Sequence, residues 1–139
     1  MLRALLLCLA FAAPAVAQPA LTGEDLVAIR AVINRQIDAF RRDDAREAFA
    51  LVSPDVQETF GTPERFLDTV RVSYRAVYRP ATVVFLDLAV MGHDAVQRVQ
   101  LTDRTGTVWV AYYAMQRQRD GSWRTNGCHL VQPAKTIPT

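Results

Sequence analysis

The sequence predicts an α+β fold in which helices come first and a four-stranded antiparallel sheet follows. Three observations carry this. Up to Pro80 the apolar residues recur every three or four positions, the spacing of one helix face. Beyond Pro80 the period drops to two, the alternation of a half-buried strand. Short gaps rich in Gly and Asp then divide the second half into four runs that hairpins can join. The 139 residues are 50% apolar and 22% charged, which fits one folded domain and excludes a disordered tail. A formal charge of +2 is too small to point to nucleic acid.

The first segment reads as an address. Met1-Leu2-Arg3, an apolar run from Ala4 to Ala13, the break at Pro14 and the small residues of Ala15-Val16-Ala17 form the parts of a signal peptide. The run is too short for a bilayer span, which takes roughly 20 apolar residues. The expectation is a leader over 1–17, one α+β domain over 18–132 and a loose tail over 133–139. The mature protein is then periplasmic or secreted, with no membrane span. Cleavage removes Cys8 and leaves Cys128 alone, so no internal disulfide can form.

Thr22 with Glu24 and Asp25 opens the first helix, as a cap followed by acids in the first turn. Leu26, Ile29, Ile33, Ile37 and Phe40 make its apolar stripe, and Arg41 and Arg42 close it. Asp44 and Glu47 read as a capping box for a short helix through Val52. Ser53-Pro54 and Thr62-Pro63 are two further cap-plus-proline starts. From Thr62, the stripe of Phe66, Leu67, Val70, Tyr74, Val77 and Tyr78 predicts one helix to Arg79, ended by Pro80.

Strands are expected over about 83–91, 95–103, 107–118 and 122–131. A three-residue loop of Arg104-Thr105-Gly106 pairs Asp103 with Thr107, Leu101 with Trp109 and Val99 with Ala111. A two-residue Asp120-Gly121 loop pairs Arg119 with Ser122, Tyr113 with Cys128 and Tyr112 with His129. One face then carries Val99, Leu101, Trp109, Ala111, Tyr113, Met115, Cys128 and Leu130, with Val84, Leu86, Leu88 and Val90 from the first strand. Being nearly all apolar, it should meet the helices. The opposite face carries Val108, Val110, Tyr112, Trp123 and His129 among polar residues.

This order of helices and strands resembles the α+β cone superfamily of nuclear transport factor two and ketosteroid isomerase, which implies a curved sheet. The segment AFRRDDAREAFALVSPDVQETFG, followed by VQLTDRTGTVWVAYYAMQRQRDGSWRTNGCHL, is similar to an exported bacterial family named only as domain of unknown function 4864. The resemblance implies a fold and, having no assigned reaction, almost nothing about activity.

Cone enzymes need a base or nucleophile between helices and sheet. The inner face offers Gln97, Tyr113 and Asn126, with Tyr74 and Tyr78 reaching in from the third helix, and no carboxylate except Asp103 at a hairpin end. Cys128 and His129 are neighbours on a strand and point to opposite faces, so they cannot act as a pair. His93 and His129 share no ligand spacing, so no metal is expected. No phosphate loop or dinucleotide fingerprint occurs, and no cofactor is expected. Asp43-Asp44 reads as capping. The arginines, spread along the chain, read as solvated ends.

The reading that follows is an exported, non-enzymatic domain binding a small apolar ligand or a protein partner. Its ligand-pocket candidates are Tyr74, Tyr78, Gln97, Tyr113 and Asn126. An alternative is a lyase or isomerase using Tyr74, Tyr78 or Tyr113 with Asp103. A third is a structural subunit, homodimeric through Val108, Val110, Tyr112, Trp123 and His129.

Overall fold

The computed structural model describes residues 12–14 and 21–134. The expected leader over 1–17, apart from residues 12–14, lies outside the described residues, as does the end of the expected tail. Helices α1 (Gly23–Arg41), α2 (Ala45–Ala50), α3 (Pro54–Phe60), α4 (Pro63–Ser73) and α5 (Arg75–Tyr78) come first. Strands β1 (Thr82–Met91), β2 (Asp94–Thr102), β3 (Val108–Arg117) and β4 (Trp123–Val131) follow as an antiparallel meander in the order β1-β2-β3-β4, curved and unclosed. No helix among the described residues is long and apolar enough to cross a membrane.

The capping residues are those the sequence signals, but the box expected of Asp44 and Glu47 is half-formed: Asp44 accepts from the Glu47 N–H, while the Glu47 carboxylate pairs with Arg35 at 2.6 Å. Thr22 and Asp25 form a reciprocal capping box on α1. Asp44, Ser53 and Thr62 each accept the backbone N–H three residues on, and Pro54 and Pro63 occupy first turns where no N–H is needed. The stripe of α1 is buried through Ile29, Ile33, Ile37 and Phe40 in one core that also holds Val99, Leu101, Ala111 and Met115 of the sheet. Phe66 joins the helices to one another, with its ring 5.3 to 5.8 Å from those of Phe40, Phe49 and Phe60.

One expected helix is two. The chain breaks at Tyr74, whose φ of −130° leaves the helical region, so α4 ends at Ser73 and α5 is a separate turn. The break leaves Ala76 and Val77 buried while Tyr78 turns to Asp43.

Register follows the hairpins, with two irregularities. The β2–β3 loop is as expected: Gly106 sits at φ 83°, Asp103 N–H donates to Thr107, and Val99 and Leu101 face Ala111 and Trp109. The β3–β4 loop has three residues, not two. Gly121 takes the left-handed position at φ 85°, and Gln118 N–H donates to Ser122 O. This shifts the near end of β4 by one residue, so Arg117 pairs with Trp123 and Met115 with Thr125. An extra residue, Asn126, then bulges from β4 and restores the expected pairs of Tyr113 with Cys128 and Tyr112 with His129. The consequence is specific. Trp123, expected on the outer face, points inward and is buried, because a one-residue slip exchanges faces.

The other irregularity is in β1, between Phe85 and Leu88. Gln97 fills it from β2, donating from Nε2 to the carbonyls of Leu86 and Asp87 at 3.0 and 3.2 Å. The bulge puts Val83 and Phe85 opposite the inward Leu101 and Val99, and Val84 opposite Gln100. Of the first-strand residues expected inward, Leu88 and Val90 keep the inner register and Val84 does not. Val90 is nevertheless exposed, on the edge strand of the sheet, while its partner Ala95 on β2 is buried.

Buried Trp123 joins a polar lock between the two ends of the fold. Its indole N–H donates to Asp25 Oδ1 at 3.2 Å, and Arg117 meets Asp25 Oδ2 at 3.0 Å while its guanidinium lies 4.5 Å from the Trp123 ring centroid. The α1 N-terminus is thus tied to the base of the β3–β4 hairpin. Its backbone bond from Thr22, and then Arg117, hold the Asp25 carboxyl well below the usual carboxylate range, against the opposing effect of burial.

Candidate functional site

A cavity of about 200 Å³ lies between the helices and the inner side of β3 and β4. Phe40 of α1, Val56 and Phe60 of α3, and Phe66 and Val70 of α4 supply most of its wall, closed by Val52 and Val77. Tyr74 reaches it because the α4–α5 break falls there. From the sheet come Tyr113, Gly127 and Cys128. Polar side chains are few: Gln36, Thr69 and Thr125.

The polar groups at one end are mostly spoken for. Thr125 Oγ1 donates to Gln36 Oε1 at 3.2 Å, and Gln36 Nε2 donates to the Ala48 carbonyl at 3.0 Å. The segment 51–53 pairs with β4 there, through Ser53 N–H to Thr125 O and Thr125 N–H to Leu51 O. Tyr113 differs. It is 1% exposed, and its hydroxyl is buried with no hydrogen-bond partner among the described residues. Such a group costs about 1–3 kcal/mol when left unpaired. Burial pushes its pKa well up, so the phenol keeps its proton.

Cys128 borders the same space as a free thiol. Loss of solvent pushes it up to about 12, so it is neutral at physiological pH and a poor nucleophile. A thiol reagent such as Ellman's should therefore react slowly at pH 8 with the folded protein and rapidly in urea. Equal rates in both would contradict this placement.

Of the sequence-derived pocket candidates, Tyr74 and Tyr113 line the cavity. Gln97 is buried on the inner face but is spent on the β1 bulge. Asn126 sits at the β4 bulge and accepts from Ser53 Oγ at 2.6 Å, outside the cavity wall. Tyr78 points away, with its hydroxyl on Asp43 and the Arg79 guanidinium over its ring. Asp103 also lies elsewhere. Its Oδ2 accepts from Trp109 Nε1 at 3.0 Å and its Oδ1 from Thr105 and Thr107, and Thr105 first, then Trp109, lowers its pKa to about 2. No carboxylate or imidazole lines the cavity among the described residues, so the expected alternative of pocket tyrosines with Asp103 is not assembled. Val108, Val110, Tyr112 and His129 are outward as expected, and Trp123 is not.

The family profile described as Domain of unknown function (DUF4864) matches residues 22–137. The chain belongs to this family. Among solved structures, this DUF4864 chain is similar to a conserved protein from Planctomyces limnophilus DSM 3776, at 20% identity with a TM-score of 0.48, over 79% of this chain and 100% of that one. No curated protein matches it.

Gln36 and Phe40 are cavity residues that sequence reasoning passed over. A signal for Gln36 exists: it lies seven residues after Ile29 and four before Phe40, so a polar side chain interrupts the buried stripe of α1. A polar residue at the centre of an apolar stripe marks a place where the core is not simply packed.

Proposed function

We propose that this is an exported binding domain for a small, uncharged, largely apolar molecule carrying one hydrogen-bonding group. The observation that supports the reading is the largely apolar cavity, whose wall includes Tyr113, a residue whose buried hydroxyl has no partner among the described residues. Size sets the ligand class. A cavity of about 200 Å³ falls below the roughly 300–1,000 Å³ that houses drug-sized ligands and above the roughly 150 Å³ that holds benzene. A single ring with a short substituent fits, and a steroid does not. Charge is disfavoured, because the wall offers no counter-ion and burying an unpaired charge is costly. The Tyr113 proton would meet a carbonyl or ether oxygen. Export rests on the leader read over residues 1–17.

Thermal-shift measurements with acetophenone, a single ring bearing a carbonyl, test the reading. A concentration-dependent rise in Tm is expected, with no rise for a steroid. A flat response to single-ring ketones, phenols and hydrocarbons alike would end it.

A second reading rests on the outer sheet face. Val84, Gln100, Val110 and Val131 fall in one row across the strands, with Val108 and Tyr112 beside them; of the apolar members all but the half-buried Val110 are more than a third exposed. A second copy of the chain would cover that row. A dimer in light scattering that Val131→Lys dissolves supports it, and a monomer at high concentration removes it.

A further inference from the structure

The fold gathers arginines that are scattered in the sequence. Arg71 lies in the last turn of α4, Arg75 begins α5, Arg79 follows α5, and Arg104 is at the tip of the β2–β3 hairpin. All four line one open cleft of about 480 Å³, with Val72, Tyr78, Asp103 and Thr105. It shares no lining residue with the apolar cavity.

The charges in this cleft are unevenly balanced. Arg71 pairs with Asp68, and Arg79 with Asp43 at 3.0 Å. Asp103, the one carboxylate on the wall, has both oxygens occupied by its own hairpin and by Trp109. Arg75 and Arg104 have neither an ion pair nor a side-chain hydrogen bond among the described residues. Two guanidinium groups therefore face the cleft without a contact partner, against the single negative charge of Asp103. A third is held in place: Arg79 lies 4.8 Å from the Tyr78 ring centroid, Tyr78 donates to the same Asp43, and Arg79 Nε is buried without a partner.

From this arrangement we propose that the cleft binds the phosphate group of a small organic phosphate. A phosphate monoester carries close to two charges on one group with several acceptor oxygens, which suits two unpaired forks beside a third guanidinium held in place. A single carboxylate would answer only one of them. Val72 and the face of Tyr78 give the organic part an apolar wall.

Isothermal titration of phenyl phosphate into the full domain at physiological salt tests this. Saturable binding is expected, weakened about tenfold or more in an Arg75→Ala, Arg104→Ala double variant, in line with loss of charge-assisted hydrogen bonds. Both side chains are exposed, and an unchanged melting curve will show that the variant is folded. Arg119→Ala, at the tip of another hairpin, should bind as the parent does. Inorganic phosphate should compete with phenyl phosphate, and benzoate should bind far more weakly. Absence of saturable binding at millimolar ligand, an equal loss in Arg119→Ala, or benzoate binding as tightly as phenyl phosphate would each overturn the assignment.

Discussion

Replacing Phe66 by alanine is expected to cost about 3–5 kcal/mol in urea unfolding, the range for a buried aromatic truncated to a methyl. Phe66 is 7% exposed and its ring touches those of Phe40, Phe49 and Phe60, so α1, α2, α3 and α4 all lose a shared partner. The same ring forms part of the cavity wall. Its removal enlarges that space, so the variant should accept a two-ring ketone that the parent refuses. Phe66→Leu keeps most of the volume and should lose less stability. A Phe66→Ala protein with an unchanged urea midpoint would place the helix core elsewhere.

Asp25→Ala should be the next largest loss, about 2–4 kcal/mol, because it removes one arm of the capping box and leaves partners of a largely buried carboxylate unpaired. Those partners are the Trp123 indole N–H, the Arg117 guanidinium and the Thr22 backbone N–H. Arg117 keeps about a third of its side chain in water, which holds the figure below that of a sealed ion pair. The pH dependence has a definite sign. The folded carboxyl lies below its ordinary value of 3.8, so its stabilising effect is complete above that pH and fades as the pH falls below it. Asp25→Asn keeps the shape and should flatten this part of the acid limb. Parallel stability–pH curves for the parent and Asp25→Asn would show that Asp25 is not the group responsible.

Local chemistry was what the sequence carried most plainly. Thr22, Asp44, Ser53 and Thr62 cap helices because a short polar side chain before a helical run has few other uses, and Pro54, Pro63 and Pro80 punctuate them. Alternation sent Tyr113 and Cys128 inward and Tyr112 and His129 outward. That register was reached through two errors that cancel, a loop one residue longer and a bulge at Asn126. Between them lies Trp123, where the errors do not cancel, and it came out on the wrong face.

What stayed hidden was non-local. The break at Tyr74 has no proline or glycine to announce it. Asp25 was legible as a first-turn acid, but its partners are 92 and 98 residues away in sequence. The arginine cleft is assembled from α4, α5 and a hairpin tip, so no run of charge in the sequence marks it. Tyr78 fits the helical stripe as well as Tyr74 does, and only the break decides which of them reaches the cavity.

Titrating acetophenone and ethylbenzene into the parent and into Tyr113→Phe bears most directly on the binding reading. Tyr113→Phe removes an unsatisfied buried hydroxyl, so it should be as stable as the parent or slightly more so. The ketone should bind about fivefold more weakly to the variant, the worth of one neutral hydrogen bond of about 1 kcal/mol. The hydrocarbon should bind both proteins equally. Equal ketone affinity in the two proteins, or no binding of either ligand to the parent, would contradict the claim that this cavity recognises a ligand through Tyr113.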